Sequence, residues 1–335
     1  MKFSAGMSMC ALAAACLFAA PSAGAQEKAA PAARQMSTEE TRQANDVASV
    51  STATQKLKLL TDFLAAHPAS LVRGRLLTHV GVAIGRESDA AVRVSLAEQF
   101  IGLMSSDLER RVASEILTDA YLKANRVDDA FQTIAVLPTV ELVDVRLLAR
   151  LTAAGADQAR QRNLKHLAAS RRYGQMAIRA IEADQRPVTL SAMAWKEYKG
   201  TTLPAMYQSL GLLSLHASAP AEAITHLQKA VELAPNDPLN YVFLGAATNE
   251  EYSTSSQQLK QMQPGPARDA MWKKSMDLLN QVVDSYARAL ALSAGSPQEQ
   301  AIRVQVRPDL EGYFKFLHNG SLEGLQAFID KYKKQ

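Results

Sequence analysis

The chain has almost no cysteine. Of its 335 residues only Cys10 and Cys16 are cysteines, and both fall inside an N-terminal apolar run. With that run removed, disulfides, thiol nucleophiles and cysteine metal sites are excluded, and the fold must hold by packing alone. Strand signals are nearly absent as well. From about residue 50 onward no alternating run of Val, Ile and Thr is bounded by turn residues. Beyond the N-terminal run there is no apolar stretch of about 18 residues, the length that marks a membrane-spanning helix. No Gly-rich phosphate loop, nucleophile elbow or EF-hand loop occurs. Charge of one sign is not in excess: 37 Lys and Arg against 33 Asp and Glu leave +4, which argues weakly about partners.

The N-terminus, residues 1–25, reads as an export signal. Lys2 supplies a positive start, an apolar run extends from Ala5 to Ala20, Pro21 breaks it, and Ala23-Gly24-Ala25 gives a small-x-small cleavage site before Gln26. Cleavage after Ala25 directs the chain to the periplasm or outside the cell. The rival is a lipid-anchored chain beginning at Cys16, but Ala13 stands where such signals usually carry Leu. Residues 26–48, opening QEKAAPAAR, read as a flexible linker, although Ser37 and Glu40 have the spacing of a helix capping box.

Downstream the apolar period is three to four, so the expected fold class is all-α. Residues 49–155 read as degenerate helical repeats. Leu57, Leu59, Leu60, Phe63 and Leu64 mark one helix, ended by Pro68. Leu76, Val80 and Ile84 mark a second, and Val94, Leu96, Phe100 and Leu103 a third. Residues 156–200 read as one long connecting helix over 156–184, bent at Gly174, then a link over 188–200 ending in Trp195 and Tyr198.

The densest pattern lies in residues 204–237. Two amphipathic helices are joined by a tight turn, with small residues where they must touch. Tyr207, Leu210 and Gly211 lie on the first helix, Ala223, Leu227 and Ala230 on the second, and Pro235 follows its end. This stretch resembles the tetratricopeptide repeat (TPR), whose pattern of about 34 residues runs aromatic, x2, Leu-Gly, x2, Tyr, then Ala-x3-Phe and a closing Pro. Ser214 stands for the usual Tyr and Leu227 for the usual Phe. Leu117, Tyr121, Ala130 and Ile134 keep the same offsets, with Thr118 in place of the Gly and Leu142 of the Pro. Tyr241, Leu244 and Gly245 restart the pattern 34 residues on. Tyr286 and Ala289, which take the places of Leu227 and Ala230, then come late by an insert around 253–275. The insert is polar over Ser253–Gln263 and breaks at Pro264-Gly265-Pro266. Trp272, Met276, Leu279, Val283, Tyr286 and Leu290 form one apolar stripe on a long helix after it.

Residues 296–335 read as a helical cap, with Pro308 in a first turn, a turn at His318-Asn319-Gly320 and a last helix capped by Ser321. The ending YFKFLHNGSLEGLQAFIDKYKK is similar to that of uncharacterised secreted repeat proteins of bacteria. The resemblance implies an α-solenoid of TPR-like helix pairs, strongest over 201–295, with a helical C-terminal cap.

A TPR protein presents the inner face of each first helix to a partner. Alignment to the family puts Ala205, Gln208, Leu212, Leu215 and His216 on that face in one repeat, and Leu239, Val242, Ala246, Asn249 and Glu250 in the next. The set holds no Lys or Arg, so the basic clamp that some relatives use for a partner's terminal carboxylate is missing. An apolar groove for a protein or peptide partner is expected, unless the chain's own long helix or insert fills it.

Catalysis is not signalled. Six histidines (His67, His79, His166, His216, His226 and His318) make no HExxH and no His-x3-His pair. Asp128-Asp129 and Glu250-Glu251 are adjacent in sequence, so on a helix their side chains diverge. The expectation is a non-catalytic periplasmic scaffold or adaptor without cofactor or metal, and without a nucleic-acid partner. Two other readings stand beside it. Arg160, Arg162, Lys165, Arg171 and Arg172 form a basic cluster for an envelope glycan or lipid, or the 253–275 insert forms an enzyme site of unrecognised type.

Overall fold

The structure, a computed structural model of the chain, describes residues 35–138 and 140–333. The expected signal peptide, both cysteines and residues 26–34 lie outside them. Among the described residues every regular element is a helix. None of these helices is long and apolar enough to cross a membrane. The chain divides into two compact units, one comprising residues up to Leu147 with Pro187–Ala192, the other Leu148–Arg186 with Met193–Gln335.

The first unit contains α1 (Thr38–Ser49), α2 (Ala53–Ala66), α3 (Arg73–Arg86), α4 (Ala90–Ile101), α5 (Asp107–Lys123) and α6 (Val127–Ala135). Polar side chains set several of the starts. Ser37, Thr52, Asp89 and Ser106 each accept a backbone N–H from the residue three positions on, at 3.0, 3.2, 2.9 and 3.2 Å. The Ser37 bond corrects the linker expectation. The chain is helical from Thr38, because Ser37 caps it and Ala44 and Val47 bury against its neighbours. Lys56, itself buried, fastens that helix: its ammonium donates to the carbonyl of Ala48 at 3.0 Å and lies 2.7 Å from His79 Nε2. The helices expected around Leu57–Leu64, Leu76–Ile84 and Val94–Leu103 are α2, α3 and α4. The degenerate repeat is α5 with α6, and Leu117, Tyr121, Ala130 and Ile134 are all in the core.

The second unit takes most of α7 (Val145–Arg160), then α8 (Leu167–Glu182), α9 (Ala192–His216), α10 (Pro220–Leu233), α11 (Pro238–Gln261), α12 (Pro266–Ser293), α13 (Glu299–Leu317) and α14 (Leu325–Asp330). In both units helices pack chiefly against near neighbours in sequence, the contact pattern of an α-solenoid.

One turn chemistry recurs where helices end. Asn125, Arg162, Asp184, Ser218 and Asn319 all have left-handed φ, between 51° and 63°. Beside each, a backbone N–H reaches back five residues: Arg126 to Tyr121, Asn163 to Gln158, Gln185 to Ala180, Ala219 to Ser214 and Gly320 to Lys315, at 2.7–3.0 Å. The turn at Arg162 overturns the single helix expected over 156–184: α7 stops there and α8 starts afresh. Gly174 has a packing role instead. It sits within α8, where an added Cβ would lie 2.7 Å from Leu210 and 2.8 Å from Thr152. The link expected over 188–200 is likewise shorter, because α9 already starts at Ala192 and carries Pro204 inside it. Pro308 also lies inside a helix, α13, rather than in its first turn. Each proline leaves one carbonyl of the preceding turn without its helical donor.

The repeat contacts take the form expected from the pattern. A Cβ at Gly211 would lie 2.4 Å from Leu227 Cγ, and one at Gly245 would lie 2.4 Å from Tyr286 Cε1. Tyr286 thus occupies the place of Leu227, and the insert lengthens the α11–α12 hairpin without altering its crossing. Ala223, Leu227, Ala230, Ala287 and Ala289 are all fully buried around these crossings.

Gly211→Leu should therefore destabilise the protein by about 1–3 kcal/mol through overpacking, whereas Lys229→Ala on the exposed face of α10 should stay within about 0.5 kcal/mol. Thermal or denaturant midpoints check this, and equal midpoints would contradict the crossing. In the first unit, burial raises the Glu115 pKa to about 7, and Asp144 adds to the rise against the opposing effect of Arg111. A carboxyl raised in this way contributes stability that is complete below its unfolded pKa and is lost as pH climbs through the folded value. Between pH 5 and 8 wild type should lose on the order of 2–3 kcal/mol relative to Glu115→Gln. His79, lowered by burial and by Lys56, and Glu109, lowered to about 2 mainly by Arg73, shift stability the opposite way, on acidification. They are common to both proteins and cancel in the difference. Parallel pH profiles would contradict the assignment to Glu115.

Candidate functional site

The inner face chosen from the family alignment is largely closed. Leu212 and Val242 are core residues, at 6% and 1% exposure. Val242 packs in one cluster with Val282, Ile302, Val306 and Leu310 of α12 and α13. Leu215 is half-buried against Ala223, Leu227 and Ala247. Gln208 is spent on structure: its side-chain amide donates to Asp237 Oδ2 at 2.9 Å and to Asn240 Oδ1 at 2.7 Å. Asn240 in turn donates to the carbonyls of Ala230 and Ala234, so these bonds tie α9 and α10 to the start of α11. Asn249 accepts a 2.6 Å hydrogen bond from the Tyr313 hydroxyl of α13. His216 and Ala246 are half-buried, and Ala205 and Glu250 remain exposed. The expected groove is thus corrected in part: apolar residues at its centre are covered, and a C-terminal helix supplies one of the covers.

The repeat-core residues lie where the pattern put them. Tyr207, Leu210, Ala223, Leu227, Ala230 and Tyr241 are buried, and Leu244 is half-buried. Pro235 is exposed, and its carbonyl accepts from the Tyr241 hydroxyl at 3.1 Å. The Tyr207 hydroxyl donates to Glu182 of α8.

An open cleft lies on another side of α11. Its volume is about 620 Å³, inside the range of about 300–1,000 Å³ usual for ligand sites. Tyr241 and Leu244 of α11, Val283 of α12, Phe314 and Leu317 of α13, and Phe328 of α14 make the apolar walls. Gln228, Asn280, Gln281 and His318 stand at its polar rim. Tyr241, Leu244 and Thr248 follow each other at helical spacing, and this stripe is roughly half a turn away from Val242, Ala246 and Asn249.

The polar centre of the cleft is a pair one helical turn apart on α12. Arg288 Nε lies 2.8 Å from Asp284 Oδ2, and the Tyr332 hydroxyl donates to Asp284 Oδ1. The Arg288 guanidinium sits 4.6 Å from the Tyr332 ring centre and 5.8 Å from that of Tyr241. Burial alone would lower its pKa, but Asp284 and Tyr241 outweigh that and hold it above the ordinary value, so the cation is permanent. The remaining wall is a run of ring contacts. His318 stacks on Phe314 at 3.9 Å, Phe314 meets Phe328 at 5.9 Å, and Phe328 meets Tyr332 edge-on at 5.8 Å. Lys331 lies 3.7 Å over Phe328.

Asp284, Arg288 and the rim residues lie outside the expected partner face, because the family alignment places that face on the first helix of each repeat. The signal was present: Asp284 and Arg288 are one helical turn apart on α12, on a different face from Tyr286, and Phe314, Phe328 and Tyr332 recur in the cap.

The other two candidate sites are more dispersed. In the basic cluster, Arg160 pairs with Asp157 and Arg171 with Glu222, which neutralises two of its charges locally. The insert places Lys274 against Glu251 at 2.8 Å. Among the described residues no group of three or more His, Cys, Asp and Glu is placed to hold a metal ion.

No family model matches the chain, and no curated protein matches it. Among solved structures, the C-terminal part of a TPR repeat-containing protein from Cytophaga hutchinsonii aligns over 88% of this chain and 99% of its own, at 12% identity and a TM-score of 0.36. That overlap is too loose to bear on fold or function, which rest on the geometry above.

Proposed function

We propose that this chain is a TPR-like scaffold that holds a partner protein through the cleft between α10, α12 and the C-terminal helices. The observation that carries the reading is the combination of aromatic and aliphatic walls with one fixed polar centre, Asp284 with Arg288. Such a site grips a short peptide segment by apolar contact and sets its direction with a few hydrogen bonds. The Asp284 and Arg288 charges offset each other, so the preferred segment is apolar or aromatic with a polar group, not a charged tail. The N-terminal export signature supports a setting in the cell envelope, with a mature chain that begins at Gln26. The scaffold reading needs no bond-breaking step.

Site-specific photocrosslinking tests the reading. A crosslinker at Gln281 on the rim should give one discrete adduct in envelope preparations, and one at the exposed Lys196 of α9 should not. The adduct should fall at least tenfold, by the few kcal/mol that steric block of an anchor costs, when Gln228→Arg narrows the opening. Equal adducts from both positions, or an adduct indifferent to Gln228→Arg, would remove the cleft as the partner site.

A further inference from the structure

The α11–α12 hairpin reaches well past its neighbour. Its helices have 24 and 28 residues, against 14 in α10. Ten or more extra residues per helix carry the tip roughly 15 Å beyond the repeat, at about 1.5 Å per residue. The far part of the arm has little apolar interior, since the residues buried there between the two helices are Ser255 and Ser275. The tip turns on Pro264-Gly265-Pro266 and is exposed almost throughout.

Between Gln257 and Lys274 the tip carries Lys260, Arg268, Lys273 and Lys274 against the single acid Asp269. Lys274 is tied to Glu251. Lys260, Arg268 and Lys273 are exposed and make no ion pair among the described residues. Trp272, one of two tryptophans in the chain, is 57% exposed one helical turn after Arg268. The other, Trp195, is buried and donates to Asp184.

We propose that this tip docks on an anionic lipid surface. A convex end has no walls to hold a peptide, but it meets a plane of headgroups well. Exposed tryptophan favours the boundary between headgroups and acyl chains, and unpaired Lys and Arg favour anionic phosphates. The rest of the tip's exposed surface is polar, with Gln257, Gln258, Gln261, Gln263 and Asp269, and this keeps the arm from entering the hydrocarbon, so contact is peripheral. This inference is independent of the cleft and of what occupies it.

The test uses the full mature chain and vesicles of phosphatidylcholine with or without about one-third phosphatidylglycerol, a content that gives a strongly negative surface potential. In a Trp195→Phe background Trp272 is the sole fluorescent reporter, and co-sedimentation of the unaltered chain gives a second readout. Binding to the anionic vesicles with a blue shift of Trp272 emission is expected at low salt. Lys260→Glu with Arg268→Glu should weaken it at least about tenfold, and so should Trp272→Ser. Both variants change exposed side chains, and circular dichroism verifies that they fold. Failure to bind anionic vesicles, or equal binding by the variants, would overturn the proposal. So would an equal emission shift with soluble polyglutamate, which would assign the tip to an acidic protein instead.

Discussion

At the α9–α10 and α11–α12 crossings the second unit has no room for a side chain. Gly211 faces Leu227 and Gly245 faces Tyr286, each so closely that even a methyl group would lie 2.4 Å from a carbon of its partner. Large residues on the second helices can fill the crossings only because the first helices are bare there. The resulting backbone approach lets Ala223, Ala230, Ala287 and Ala289 bury completely, and it brings Asn240 within reach of the carbonyls that end α10. Interiors packed this densely transmit small shifts, so the register of one pair constrains the next. Gly174 plays the same part between α8 and α9, against Leu210.

The candidate cleft is a consequence of those crossings. Tyr286 turns inward to Gly245. Asp284 and Arg288, two residues to either side of it, lie on a different face of α12 and line the opening. Tyr332 and Phe328 then close one wall, with the Tyr332 hydroxyl on Asp284 and its ring under Arg288. The C-terminal cap therefore both covers the apolar end of the stack and completes the site. Its Leu325 and Ile329 are core residues, so the wall is built in rather than laid on top.

The helix pairs were legible because their signals are local: period, small residues at fixed offsets, and Pro-Gly-Pro as a break. The match of Tyr286 to Leu227 could be read across an insert because the offsets to Ala289 and Ala230 agree. What was illegible had no local signal. The turn at Arg162 uses a left-handed residue that is not glycine, so the expected single helix over 156–184 is two. Glycine reading also missed Gly81 of α3, whose absent side chain makes room for Ile116. The candidate site was misplaced for a different reason. A family's inner face transfers only if nothing covers it, and the burial of Val242 beside Ile302 and Val306 depends on residues 60 positions away in sequence.

A double-mutant cycle at Gly245 and Tyr286 tests the central constraint most directly. Gly245→Ala adds a methyl group where the ring lies, and Tyr286→Ala removes the ring. If the crossing is the controlling contact, each single change destabilises. The double variant should then be at least about 1 kcal/mol more stable than the sum of the two predicts, because the new methyl occupies space the ring has left. Stabilities that add within about 0.5 kcal/mol, as they do for sites that do not touch, would show that Gly245 and Tyr286 do not meet and that the helix pairing is wrong.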